Sequence, residues 1–223
     1  MIQYLDWDSQ FFNAKIGKVI CDSHFSIENI WGEKQAKGYD RIYLFSKTKL
    51  KSYHPSLLLV DEKVTFSMKV KPKKKKPEYC NIYDGDINEE LLKLSLLSGH
   101  KSRFKSDPFF KPQFRQFYTL WLQNSLNKSF ADEVIVASIE KHIAGFVTLK
   151  KESNSGSIGL IAVNDQYQGK GIGKDLLLAA NNWFIENQIQ FSEVVTQIDN
   201  TKACIFYKSF GYHQKKIEYI YHL

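Results

Sequence analysis

Seven consecutive residues, Gln168, Gly169, Lys170, Gly171, Ile172, Gly173 and Lys174, put three glycines, two lysines and a glutamine ahead of the apolar stripe Leu177, Ala180, Trp183 and Phe184. Glycines let the backbone turn tightly, and the first N–H groups of a helix have no intrahelical partner. Because the helix dipole also favours negative charge there, the junction is suited to a phosphate. Three phosphate-binding patterns compete for it. A P-loop, G-x-x-x-x-G-K-[ST], fails at Gln168, where glycine is required, and at Asp175, where a hydroxyl is required. A dinucleotide fingerprint, G-x-G-x-x-G, fails in one register at Lys174 and in the other at Leu176. The third, Gln/Arg-x-x-Gly-x-Gly/Ala, is met by Gln168, Gly171 and Gly173.

A second motif lies downstream in "DNTKACIFYKSFGYH": Asn200, Ala203, Tyr207, Gly211 and Tyr212 fit N-x-x-A-x-x-x-Y-x-x-x-G-F/Y. In this order, separated by a helix and a strand, the two motifs resemble the Gcn5-related N-acetyltransferase (GNAT) superfamily. The resemblance implies an α/β fold with a mixed, splayed central sheet, and acetyl-CoA as acetyl donor. Backbone groups of Leu160, Ile161, Ala162 and Val163 are then expected to pair with the pantetheine arm and the acetyl oxygen, where their strand parts from its neighbour at 193–197. The amides of Gln168 to Lys174 would take the pyrophosphate, Lys170 and Lys174 would assist, and Asn200 and Ala203 would border the cofactor. Tyr207 is the expected general acid for the leaving thiolate. Its other reading is a core aromatic, since Phe206 and Phe210 share its helix. The strand "SGSIGLIAV" has no acid, so a water chain, or no base, is expected. No metal-ligand spacing is visible.

A closer resemblance, to the WecD-type N-acetyltransferases of dTDP-4-amino-4,6-dideoxyhexoses, runs through "LDWDSQFFNAKIGK", "VDEKVTF", "FYTLWLQNSL", "AGFVTL", "IGLIAVNDQYQGKGIG", "TQIDNTKACIFYKSFGY" and "IEYIYHL". It implies a nucleotide-linked amino sugar as acceptor, acetylated at its C4 amine by direct attack on the thioester, for surface polysaccharide synthesis. A thymine ring suits aromatic stacking and a diphosphate suits cations. The mid-chain stretch "HKSRFKSDPFFKPQFRQFY" interleaves both, and Arg103, Phe104, Tyr118 and Trp121 are the substrate candidates, set against a reading as a packed amphipathic helix. Rival functions are a protein or peptide N-acetyltransferase, a ribosomal-protein modifier with the lysine-rich stretch touching RNA, and a non-catalytic acyl-CoA binder.

Positioning these residues requires the following elements. Strands are expected at Lys18 to Asp22, Arg41 to Ser46 and Lys63 to Val70, with a helix from a Ser26 cap to a Gly38 stop between the first two. Beyond them come a helix capped by Asn88 or Asp86 and ended by Gly99, and a second helix over residues 111–126. A hairpin, Glu133 to Ile139 and Ile143 to Lys151, leads to Ser155 to Val163, where Gly159 marks a bulge or close approach. The glycine loop and its helix follow, then a strand at Glu193 to Gln197, a helix ended by Gly211, and a last strand from His213. The division predicted is a smaller N-terminal α/β half, 1–72, before an acetyltransferase domain, 73–223.

The 223 residues, 43% hydrophobic and 25% charged, form an ordinary globular composition without a membrane-length apolar run. With acids in the opening "MIQYLDWDSQFF", a cytoplasmic location is expected. Cys21, Cys80 and Cys204 read as reduced structural thiols. Net charge is +7, with six lysines between Lys69 and Lys76. Two prolines make that run an extended, solvated linker, with no nucleic-acid partner. The terminal "IEYIYHL", taken as an edge strand able to pair across a two-fold axis, points to a homodimer.

Overall fold

The computed structural model describes residues 1–22, 25–51 and 54–223. Its first elements are β1 (Gln3–Tyr4), α1 (Asp6–Phe12), β2 (Ile16–Ile20), α2 (Ile27–Ala36), β3 (Arg41–Ser46) and β4 (Leu58–Lys69). There follow β5 (Cys80–Ile82), α3 (Glu89–Ser98), α4 (Arg103–Ser106) and α5 (Phe114–Leu126). The chain then forms β6 (Glu133–Ile139), β7 (His142–Glu152), β8 (Ser155–Val163), α6 (Ile172–Glu186), β9 (Phe191–Gln197), α7 (Thr201–Phe210) and β10 (His213–His222). Ser26 caps α2 by accepting from the Asn29 amide, and Asn88, rather than Asp86, caps α3 by accepting from that of Leu91. The strand expected at Lys18 to Asp22 is β2, which lies two residues earlier at both ends, and β4 extends back to Leu58.

The strands form a ten-stranded mixed sheet in the order β1-β2-β3-β10-β4-β9-β8-β7-β6-β5. Most pairs are antiparallel; β2–β3 and β8–β9 are parallel. The order corrects the expectation that the terminal strand is an edge. β10 lies between β3, which it meets at Tyr219 to His222, and β4, which it meets along its length. Ile220, Tyr221 and His222 are buried because both neighbours cover them, so the inference of a dimer from a free edge there falls.

Side-chain alternation sorts the sheet into two faces. Val64, Phe66 and Met68 of β4 face α6 and α7, packing with Leu176, Phe184 and Tyr207. On the opposite face Tyr43, Val134, Val136, Phe146 and Leu160 pack with Phe12 of α1 and with α3 and α5. A smaller cluster gathers Ile42, Leu44 and Tyr221 with Ile27 and Ile30 of α2.

One glycine differs in role from what its position suggests, and another keeps its expected role. Gly99 follows α3 at φ −93°, not left-handed. What excludes a side chain there is the Tyr118 ring, 2.1 Å from where a Cβ would sit. Gly159 does mark a bulge: the β7–β8 register jumps between Val147 opposite Ile161 and Leu149 opposite Ile158.

The lysine run is extended, as expected, but it is fastened rather than merely solvated. The Asn181 side-chain amide donates to the Lys71 carbonyl at 3.0 Å, and Lys73 reaches the Phe210 carbonyl at 3.4 Å. Asp175, almost fully buried in the first turn of α6, accepts from the Glu78 amide at 3.3 Å and pairs with Lys75 at 3.5 Å.

Candidate functional site

The site begins where a ladder stops. β8 and β9 pair only from Ser155 opposite Phe191 to Ile158 opposite Val194. Beyond that point the Gly159 bulge turns β8 away, and the two strands part into a fork. The Leu160 amide is consumed within the bulge, donating to Thr148 Oγ1 at 2.8 Å, and the Asn164 amide donates to the Ala144 carbonyl at 2.8 Å. Backbone direction alternates along a strand, so Leu160 and Ala162 direct their polar groups to β7. This corrects the expectation that all four residues from Leu160 to Val163 face the fork: Ile161 and Val163 do.

The loop that follows is held by its own side chains. Asn164 accepts from the Gln166 amide at 3.1 Å, while the Gln168 side-chain amide donates to the Val163 carbonyl at 3.2 Å and to Asp165 at 2.7 Å. Gln168 thus ties the loop to the end of β8. Gly169 and Gly171 have φ of +77° and +85°, so glycine serves there for conformation. Gly173 serves for space, because a Cβ there would lie 3.1 Å from the Phe206 ring of α7. The opening amides of α6, from Ile172 to Lys174, have no intrahelical acceptor and stand at the positive end of a 15-residue helix. Lys170 and Lys174 are exposed beside them; Lys170 lies 5.2 Å from the Tyr167 ring centre. Loop and fork together can hold an extended ligand with an anionic end.

α7 closes the same side. Asn200 caps it through the Ala203 amide at 3.4 Å, and Gly211, at φ +115°, terminates it. Tyr207 is 4% exposed among Phe66, Phe206 and Tyr212, so it is a core aromatic whatever else it does. Its hydroxyl makes no hydrogen bond among the described residues. Burial, reinforced by Tyr212 and Cys204, raises its pKa well above the ordinary phenol value and keeps the proton on the oxygen.

The opposite face carries a cavity of about 550 Å³ near the C-terminal end of β9. It is lined by the start of β4, including Asp61, by His100, Lys101, Ser106 and Asp107 around α4, and by Gln197 and Asp199. Arg103 of α4 lies behind this wall, 4.9 Å from the Tyr43 ring centre and 4.5 Å from that of Phe104, with its Nε buried and without a hydrogen-bond partner among the described residues. Tyr118 faces the same group: burial raises its hydroxyl's pKa, while Ser102 and Arg103 pull it down. Trp121 stacks on Tyr118 and brings its indole nitrogen 4.0 Å from the Cβ position of Gly159. Phe104, by contrast, stacks on Phe117 at 4.3 Å and on Phe12 at 5.9 Å within the core. Of the four substrate candidates, the fold groups Arg103 and Tyr118 near the cavity, sets Trp121 over the bulge and assigns Phe104 to packing.

Three residues here escaped the sequence reading. His222 and Asp107 form a buried pair in which the His222 Nδ1–H donates to the Asp107 carboxylate, leaving Nε2 without a partner among the described residues. Burial pushes His222 down and keeps its ring neutral. Asp61, 8% exposed, has an Oδ1 without a partner among the described residues. Only Asp61 left a trace in sequence, as a carboxylate inside an apolar strand pattern, "LLLVDEKVTFSM".

Comparison with known proteins agrees with this geometry. Residues 101–212 match the acetyltransferase (GNAT) family, a span holding the fork, the glycine loop and Tyr207. The dTDP-fucosamine acetyltransferase of Escherichia coli O6:H1 is 28% identical over 132 residues, 58% of this chain and 56% of that protein. The match therefore spans little more than half of that relative's length. In fold, a GCN5-related N-acetyltransferase from Sphaerobacter thermophilus aligns with a TM-score of 0.61 at 14% identity, over 100% of this chain and 75% of its own. A PaiA N-acetyltransferase from Thermoplasma acidophilum, solved in complex with coenzyme A, aligns at 0.51 and 20% identity over 65% of this chain and 98% of its own. A strand fork opening onto a glycine-rich helix start, a buried tyrosine beyond it and a family match over the same residues lead to one conclusion: this chain belongs to the GNAT acetyltransferase family, whose acetyl donor is acetyl-CoA.

Proposed function

We propose that the protein is an acetyl-CoA-dependent N-acetyltransferase whose acceptor is the amine, at C4, of a dTDP-linked amino-deoxyhexose. The observation that carries acetyl transfer is the end of the β8–β9 ladder at Ile158 and Val194, immediately before the glycine loop. In this reading Ile161 and Val163 pair with the pantetheine arm, the loop amides from Gln168 to Lys174 hold the pyrophosphate, and Asn200 and Ala203 border the arm. Tyr207 protonates the thiolate as the C–S bond breaks. A low-dielectric wall around its hydroxyl suits an acid that must keep its proton until a thiolate forms.

The sugar acceptor is supported by similarity to the dTDP-fucosamine acetyltransferase and by the cavity on the opposite face. Arg103, Tyr118 and Trp121 are the groups we assign to it; Phe104 would act through packing. The enzyme would act in the cytoplasm, where acetyl-CoA is available, supplying surface polysaccharide synthesis. A homodimer, if formed, must use a surface other than β10. The test is to incubate the protein with acetyl-CoA and a panel of dTDP- and UDP-linked amino sugars and to measure released thiol. Turnover of a dTDP-4-amino sugar is expected. Silence on every sugar with turnover of peptides would replace the sugar reading by the peptide one.

A further inference from the structure

Acetyl transfer to an amine needs a place for the amine's proton, and β8, the strand nearest the fork, carries no ionisable side chain from Ser155 to Val163. The cavity on the other face is lined by His100, whose Nδ1 lies 2.8 Å from the Leu97 carbonyl, and by four carboxylates. Most are engaged: Asp107 by His222, Asp199 by Lys101 at 3.3 Å and Glu62 by Lys49 at 2.9 Å. Asp61 differs from all three. It is 8% exposed, lines the cavity, and leaves Oδ1 without a partner among the described residues. A buried carboxylate oxygen without a donor is costly to keep, which makes it a place prepared for one.

From these observations we infer that Asp61 is the proton acceptor for the substrate amine, acting on the face of the sheet opposite Tyr207. The inference rests on the acetyltransferase reading and adds its missing base. Register gives the placement. Lys63 pairs with Gln197, the last residue of β9, so Asp61 projects two residues beyond the end of that strand, one strand over from the fork. Alternation puts Asp61 on the side of Lys63 and Thr65, away from Val64 and Phe66, which share the Tyr207 cluster. Amine and thioester would then meet between a base on one face and an acid on the other.

The surroundings tune the group for this. Burial is the largest effect and raises its carboxyl pKa to about 6. Arg103 from α4, Lys63 on its own strand and the Gln197 side chain oppose the rise, while Asp199 after β9 adds to it. A carboxylate of that strength is ionised at neutral pH, yet is a better base than an exposed one.

The proton balance closes. The acceptor enters as an ammonium; Asp61 takes one proton and releases it to solvent through the cavity. The free amine forms the C–N bond, the C–S bond breaks, and the thiolate takes the Tyr207 proton. The second nitrogen proton passes to Asp61, and Tyr207 is reprotonated from that proton by way of solvent. Ammonium and thioester thus become amide, free thiol and one proton.

The test compares wild type with Asp61→Asn and Asp61→Glu, using whichever amine of the sugar panel the wild type turns over. Asp61→Asn is expected to lower kcat roughly 10²-fold or more, to leave coenzyme A binding by calorimetry unchanged, and to abolish the acid limb of kcat/KM near pH 6. Asp61→Glu should restore part of the rate and the limb. Should Asp61→Asn fail to fold, Asp61→Ser serves in the same comparison. Wild-type kcat in either uncharged variant, or an acid limb that survives the loss of the carboxylate, overturns the inference. Absence of wild-type turnover on any amine overturns the acetyltransferase reading itself, a distinct outcome.

Discussion

At the scale of single residues, two buried ionisable groups on opposite faces of one sheet carry opposite expectations. Tyr207 is protonated and has nowhere to donate within the described residues. Tyr207→Phe keeps the ring and its contacts with Phe66 and Tyr212, so melting temperature and coenzyme A affinity should stay put while kcat falls roughly 10²-fold. An undiminished kcat would leave Tyr207 as a core aromatic only. Asp61 has a folded-state pKa raised above its unfolded value, so its contribution to stability is fully present below the ordinary carboxylate range and is lost as pH rises to about 6. Urea unfolding at pH 4 to pH 7 should show this fall in wild type and a flatter profile in Asp61→Asn. A steeper profile in the variant would contradict the assigned burial. At neutral pH Asp61→Asn should be no less stable than wild type, because burial outweighs the help of Arg103, Gln197 and Lys63 and removing the charge relieves a net desolvation penalty.

At the scale of elements, the start of α6 shows how one short sequence serves several physical demands. Gly171 sits at φ +85° with nothing within 4 Å of a would-be Cβ, so its requirement is conformational. Gly171→Ala should destabilise by about 1 kcal/mol and weaken coenzyme A binding, because the left-handed backbone that aims the amides is then strained. Calorimetric titration of the variant checks both. Asp175, which excluded a P-loop reading, instead secures the lysine linker through the Glu78 amide and Lys75. Asp175→Ala removes the acceptor of the Glu78 amide and the partner of Lys75 and should cost about 1 kcal/mol, with protease cleavage appearing between residues 71 and 78. An unchanged cleavage pattern would show the linker is held by Asn181 and Lys73 alone.

At the scale of the whole molecule, the division at residue 72 is a proposal about two α/β segments, and the sheet constrains how they behave. β4, from the first segment, lies between β9 and β10 of the second. A chain beginning at residue 73 would leave a gap in the middle of the sheet, exposing Phe66's partners Val194 and Tyr207. We expect it to unfold without cooperativity and to recover a sharp transition when residues 1–72 are supplied separately. A sharp transition in the shorter chain alone would mean that the second segment folds independently.

Local sequence determined what depends on neighbouring residues. Glycine and cap chemistry fixed the loop, the starts of α2, α3 and α7, and the Gly159 bulge, because φ preference and capping act within a few residues. Alternation and β-branching delimited β6, β7 and β8 closely for the same reason. Short β1, α1 and β5 were not legible, since elements of two to seven residues take their stability from what they pack against. Tertiary structure alone decided the rest. It drew β10 from a supposed edge into the interior, and turned Leu160 and Ala162 toward β7. It also brought Asp61, Arg103, Asp107 and His222, up to 161 positions apart in the chain, to one side of one sheet. A strand's sequence states which of its faces are apolar but not which strands flank it, and partner choice is what buried Asp61 and placed it just past the end of β9.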